Sequence, residues 1–251
     1  MFQPLNLFAV CLTTFGILFS SVSLQAEDQA KSYYLIGNSL TWDTVPSLLD
    51  GDVQWHVDCG KSLPFIYEHP EKPCVKASTL WPTALKEKQY DLISVQPHYG
   101  STLAEDVATI SKWIEMQPKA TFIIHTGWAR SKTREEEYNS KDVSGKLQHS
   151  PSYINALLAA LRKKYPERQF KQTHASDLLE QVDADIKQGK APFGQITDIY
   201  RDAIHMKLDT GRYLMHNAMR HAMGQSRSDK GYEKLDPQLK QYLNQVLDTL
   251  N

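Results

Sequence analysis

The sequence predicts an α/β protein, a three-layer α/β/α sandwich built around a mainly parallel five-stranded sheet. Two patterns predict it. From residue 31 to about 222, short apolar runs alternate with amphipathic stretches, and the connections between them are short. Strand, helix and strand repeated in this way make a parallel sheet covered by helices on both faces. Length and composition agree: 251 residues with a hydrophobic fraction of 41% suffice to bury one full core.

The strands are read in order. Ser32 to Ile36 is a continuous apolar run of the kind buried on both faces, and Asp52 to Val57 is the second. Asp91 to Val95 and Ala120 to Ile124 are the third and fourth, and Arg168 to Thr173 is a weaker fifth. Helical periodicity runs over 81–88, 103–116, 152–165 and 175–188, and Pro118 and Pro166 follow two of these where helix stops belong. Three regions break the rhythm. Residues 60–79 read as a loop holding three prolines, 130–150 as a polar, charged insertion, and 235–250 as a C-terminal helix behind the polar linker 225–231. The insertion is read as a solvated loop, with a lid over the site as the alternative.

The first residues bear on the compartment. Leu5 to Val22 is apolar, Ser23 to Ala26 follows, and Glu27-Asp28 opens the polar chain. This order is that of a secretory signal cut after Ala26, although no Lys or Arg precedes the apolar run and Leu24 stands at position −3. An uncleaved anchor is the alternative. The expected organisation is a signal over 1–26, one chemical domain over 27–224, and the linker and helix over 225–251. The expected location is periplasmic or secreted. Removing the signal leaves two cysteines, Cys59 and Cys74, around a Pro-rich loop. Export favours a bridge between them, contributing roughly 3 kcal/mol in the chain-entropy model, and two free thiols are the alternative.

The net charge of −1 gives no electrostatic reason to expect nucleic acid or an anionic membrane as partner. No His pair has metal-ligand spacing and no glycine-rich loop cradles a phosphate, so neither a metal nor a nucleotide cofactor is expected. Oligomeric state is not legible.

Two segments carry chemistry. Gly37-Asn38-Ser39-Leu40 directly follows the first strand, where ligands bind in a doubly wound sheet. A serine there starts a helix with its hydroxyl exposed and its N–H free, although helix capping alone also explains such residues. Asp202-Ala-Ile-His205 supplies a base and its orienting acid from one turn, as an activated serine requires. A solvated Asp and a surface His are the competing reading.

Together these segments resemble the SGNH/GDSL hydrolase superfamily over roughly residues 32–222. The Gly-Asn-Ser-Leu block stands for the family's Gly-Asp-Ser-Leu, Gly60 for the glycine after the second strand, and Asp202 and His205 for the terminal Asp-x-x-His. The resemblance implies a flavodoxin-like three-layer fold, a Ser39–His205–Asp202 triad and oxyanion donors at the Ser39 and Gly60 N–H groups. The third block departs: where the family has Gly-x-Asn-Asp, this chain has Gln96-Pro97-His98-Tyr99. Gln96 is assigned as the third donor, with His98 as rival. Trp42, Tyr99 and Trp128 follow strands one, three and four, and with His98 they are candidates to line the substrate site. His125 is read as a structural histidine.

The implied activity is that of an exported serine esterase acting on a small-molecule or carbohydrate ester through an acyl-enzyme. Removal of acetyl groups from carbohydrate follows from the family's habits. The alternatives are an acyltransferase, a lipase or thioesterase with the same triad, a non-catalytic glycan- or protein-binding module, and a flavodoxin-like redox or binding domain.

Overall fold

The computed structural model of the chain describes Met1 and residues 31–250. The expected signal and its Cys11 lie outside the described residues. Five strands, β1 (Ser32–Gly37), β2 (Asp52–Val57), β3 (Leu92–Val95), β4 (Thr121–Ile124) and β5 (Phe170–Gln172), form one sheet in the order β2-β1-β3-β4-β5. Every neighbouring pair is parallel, with Tyr33 opposite Leu92, Leu92 opposite Thr121 and Ile123 opposite Lys171.

Strand alternation sorts the core into two faces. Tyr34, Ile36, Ile93, Val95, Phe122 and Ile124 point to one side. There they meet α2 (Leu63–Glu68), α3 (Trp81–Glu87), α4 (Leu103–Met116) and α6 (Pro151–Lys164). Tyr33, Leu35, Leu92 and Ile123 point to the other, against Met219, Ala222 and Met223 of α8 (Thr210–Met223). Beyond them α7 (Ala175–Lys187) and α9 (Pro237–Asp248) share a second apolar cluster with α8. Two-sided covering explains why all six residues of β1 are buried.

Helix starts follow local chemistry. Thr102 caps α4 in a reciprocal capping box with Glu105, and the Ser150 side chain caps α6 just ahead of Pro151. The expected C-terminal helix packs through Tyr242, Leu243, Val246 and Leu247 into the α7–α8 cluster.

Two expectations are corrected. Residues 60–79 are not all loop, because α2 occupies Leu63–Glu68 with Pro64 in its first turn, where the missing N–H costs nothing. The insertion over 130–150 is not a solvated loop throughout. It contains α5 (Arg134–Asn139), whose Arg134 is buried and paired with Glu180 and Asp183 of α7. Glu137 of the same helix takes hydrogen bonds from the Tyr99 and Thr133 hydroxyls and the His149 N–H.

The chain leaves β1 for β2 on one side and returns past β1 to β3 on the other. The loops after β1 and β3 therefore part, opening the crevice where α/β sheets place their ligands. Among the described residues no helix is long and apolar enough to cross a membrane.

Candidate active site

The turn after β1 is built to present Ser39. Gly37 admits no side chain, since a Cβ there would lie 2.1 Å from the Thr41 hydroxyl and 2.8 Å from Gln96 Cβ. Asn38 caps α1 (Ser39–Trp42), its Oδ1 accepting from Leu40 N–H at 2.9 Å. Its Nδ2 donates to the Lys61 carbonyl at 3.2 Å. An Asp could make the first bond but not the second, which gives the Asn at this position a physical reason. Ser39 is left at the first helical position, with no protein partner for its N–H among the described residues.

Opposite it stands the turn after residue 200. His205 Nε2 lies 2.9 Å from Ser39 Oγ, and His205 Nδ1 lies 2.8 Å from Asp202 Oδ2. Asp202 Oδ1 also accepts the backbone N–H groups of Ile204 and His205 at 2.9 and 2.8 Å. Desolvation pushes the Asp202 carboxyl up, but these two N–H donors and the His205 ring outweigh it and hold it at about 2. The acid is thus ionised over the whole range in which a histidine base works, and its acceptor fixes the proton of the neutral ring on Nδ1.

The Ser39 turn and the Asp202–His205 turn are bolted together by residues that carry no motif. Asp43, at the end of α1, is fully buried, and its own N–H donates to the Ser39 carbonyl at 3.0 Å. Its Oδ1 accepts from Arg201 Nη1 at 3.0 Å and Arg212 Nε at 2.9 Å, and its Oδ2 accepts from Met206 N–H at 2.8 Å. Arg201 and Met206 flank the Asp202–His205 block on either side, so one carboxylate grips both ends of the turn. Sequence reasoning passed over Asp43; its spacing of four from Ser39, and an Arg directly before Asp202, were the available signals.

The other candidates are placed as follows. Gly60 adopts φ +69° with open space around it and no protein partner for its N–H among the described residues. The Asn38–Lys61 bond and Asp58 N–H to Gly37 O at 2.9 Å draw its loop against the nucleophile turn. Among the described residues, the backbone N–H groups of Ser39 and Gly60 thus have no protein partner, on two loops that the Asn38–Lys61 bond joins. Cys59 and Cys74 are disulfide-bonded beside them.

Gln96 does not present its amide as expected. It is fully buried, and Oε1 accepts from Asn38 N, Thr41 N and Thr41 Oγ1 at 3.1, 3.1 and 3.0 Å. Its Nε2 turns to the Pro97 carbonyl at 3.5 Å. The residue ties down the nucleophile turn because three donors converge on the one acceptor that its amide offers.

Trp128 is likewise corrected as a pocket wall. It is fully buried, and its Nε1 donates to the Ile204 carbonyl at 2.6 Å, bracing the triad turn from behind. Trp42 is half-buried, with its ring 5.9 Å from Trp55. The half-buried Tyr99 gives its hydroxyl to Glu137 at 2.9 Å, and His98 is 6% exposed. His125 bonds Thr173 inside the core. Among the described residues no group of three or more metal-binding side chains comes together.

No family model and no curated protein matches the chain. Solved structures similar to it include a protein described as a GDSL-like lipase from Parabacteroides merdae. It shares 14% identity over 78% of this chain and 96% of that one, at a TM-score of 0.48. A carbohydrate esterase family 3 structure from Talaromyces cellulolyticus shares 10% over 77% and 96%, at a TM-score of 0.45. A salicylyl-acyltransferase from a tetracycline biosynthetic pathway shares 10% over 79% of this chain and 55% of that one, at a TM-score of 0.45. At these identities nothing about chemistry passes from them to this chain.

Proposed function

We propose that the protein is an exported serine hydrolase of the SGNH type, cleaving carboxylic esters through an acyl-enzyme on Ser39. The observation that carries this reading is the unbroken chain from Ser39 Oγ through His205 to Asp202, at 2.9 and 2.8 Å.

Each atom has a task. His205 Nε2 takes the Ser39 proton as Oγ bonds to the ester carbon, and the carbonyl oxygen becomes an oxyanion held by the Ser39 and Gly60 N–H groups. The Asp202 carboxylate stabilises the imidazolium formed meanwhile. The C–O bond to the alcohol then breaks, and the alkoxide leaves with the proton from His205. A water repeats the sequence on the acyl-enzyme, giving the free acid and regenerating Ser39. Gln96 and Asp43 act only by holding the two turns in place.

The reading extends to ester-bearing carbohydrate as substrate and to an oxidising compartment. The Cys59–Cys74 bridge and the signal-like first residues support the compartment. Support for a bulky alcohol is that the triad stands at the rim, with the His205 and Asp202 side chains 26% and 48% exposed.

Treating the mature protein with a fluorophosphonate probe and mapping the adduct tests the chemistry. Labelling at Ser39 that is lost in His205→Ala is the expected result. An unlabelled wild-type protein would turn the reading toward a non-catalytic binding module.

A further inference from the structure

Behind the site runs a line of hydrogen bonds whose direction is fixed at one end. The Thr126 carbonyl can only accept, and His149 Nδ1 lies 3.3 Å from it, so His149 carries its proton on Nδ1. His149 is 3% exposed, and burial lowers its pKa to about 4, so the ring is neutral and its Nε2 is a bare lone pair. His98 Nδ1 lies 3.3 Å from that lone pair and must therefore donate to it. His98 is neutral as well: burial above all lowers its pKa to about 3. One proton is spent on His149, so His98 Nε2 is an acceptor. It has no partner among the described residues.

This removes His98 from the oxyanion, which needs a donor. It also places an unused acceptor at a particular spot. His98 sits two residues beyond Gln96, which grips the nucleophile turn, and within electrostatic reach of His205 and Arg130. The Arg130 segment is in turn joined to the triad turn through Ser131 N–H and the Ala203 carbonyl at 2.9 Å. The side of the site nearest His205 is where the leaving alcohol collects its proton, so groups there meet the alcohol half of the substrate.

We propose that His98 Nε2 accepts a hydrogen bond from a hydroxyl on the alcohol half of the ester, which selects polyhydroxylated alcohols such as sugars carrying a free hydroxyl beside the acylated one. The proposal rests on the serine-esterase reading and names its substrate class. His149 and the Thr126 carbonyl are positioning groups that hold the acceptor in its tautomer. Gly127 belongs to the same device, since a Cβ there would lie 2.9 Å from His149 Cε1.

The experiment compares a mono-acetylated methyl pyranoside with its analogue lacking the neighbouring hydroxyl, and both with p-nitrophenyl acetate. The wild type is expected to favour the hydroxylated ester by about 10- to 100-fold in kcat/KM. His98→Leu should erase that preference, lowering kcat/KM for the hydroxylated ester by about 10- to 100-fold, to the value for its analogue. A fall in p-nitrophenyl acetate turnover of about a hundred- to a thousand-fold would instead mark His98 as an oxyanion donor and overturn the proposal. Equal wild-type rates on the two pyranosides would overturn it too. Failure of the esterase reading itself looks different, since the wild type would then take no label. Nitrogen NMR of labelled histidine gives a second readout on the unmutated protein: His98 protonated on Nδ1 is expected, and a proton on Nε2 refutes the assignment.

Discussion

Replacing Asp43 with Asn keeps the shape of the side chain and removes a charge that two guanidinium groups and a backbone N–H all use. Asp43 is fully buried, whereas the Arg201 and Arg212 side chains are 32% and 18% exposed, so water can replace only part of what is lost. The new amide must also point two hydrogens at either Met206 N–H or the guanidinium pair, so a donor faces a donor. Breaking a buried ion network by neutralising one member costs about 3–5 kcal/mol. At about 2–4 °C per kcal/mol for a chain of this size, the midpoint of thermal unfolding falls by about 6–20 °C. The variant that folds should carry a loosened 201–206 turn, and a displacement of about 1 Å at His205 costs on the order of a hundredfold in rate. Two assays follow: denaturant unfolding for stability, and the fluorophosphonate labelling rate at a temperature where the variant is folded. Lowered stability with a wild-type labelling rate would show that Asp43 serves the fold alone and would refute the clamp.

Other outcomes are expected alongside. Ser39→Ala should abolish labelling and lower esterase kcat about a million-fold, and Asp202→Ala should lose less than His205→Ala; equal losses would count against an orienting role for a half-exposed acid. Reducing the Cys59–Cys74 bridge, which closes 15 residues of chain, should cost roughly 3 kcal/mol, read as a lower midpoint in guanidinium. Gly37→Ala should fail to label even where circular dichroism shows folded protein, because Thr41 and Gln96 must move to admit a Cβ. Acidification should destabilise the fold. Burial lowers His56, His125 and His149 to about 4 and His98 to about 3, so below the ordinary histidine value of about 6.5 the unfolded chain binds protons that the native chain refuses. Their stabilisation is complete above that value and is lost as pH falls through it toward 4. Asp106, raised by burial to about 7, opposes this with one proton, since its native form stays protonated between 4 and 7. An unfolding midpoint higher at pH 5 than at pH 7.5 would contradict the balance.

The strands were legible because burial on both faces leaves an unbroken apolar run, as in Tyr33 to Ile36. The meeting of Ser39 with the Asp202–His205 turn was legible because a serine at a strand end and an Asp-x-x-His turn are each chemically incomplete without the other. What the sequence hid was direction. Gln96 offers both a donor and an acceptor, and only the fold decides that three donors at Asn38 and Thr41 meet its oxygen. Trp128 stands where a pocket wall was expected, but its indole N–H finds the Ile204 carbonyl behind the site instead. Helices α2 and α5 have six residues each, too few to show a period. The buried Arg134 gives no local sign that its partners lie 46 and 49 residues further on. The Asp43 clamp is invisible for the same reason: it joins α1 to a turn more than 150 residues away, at Arg201.

The half-exposed Asp202 and quarter-exposed His205 have a consequence for what such a protein could work on. A base and acid sunk in a tunnel would meet only substrates that enter by an end. If the proposed esterase reading holds, a pair this exposed could be approached from the flank, and an acylated unit in the middle of a long polymer would be as reachable as one at a terminus. The extent of reaction would then be governed by how densely the polymer is decorated, and would not slow as its chains grow longer.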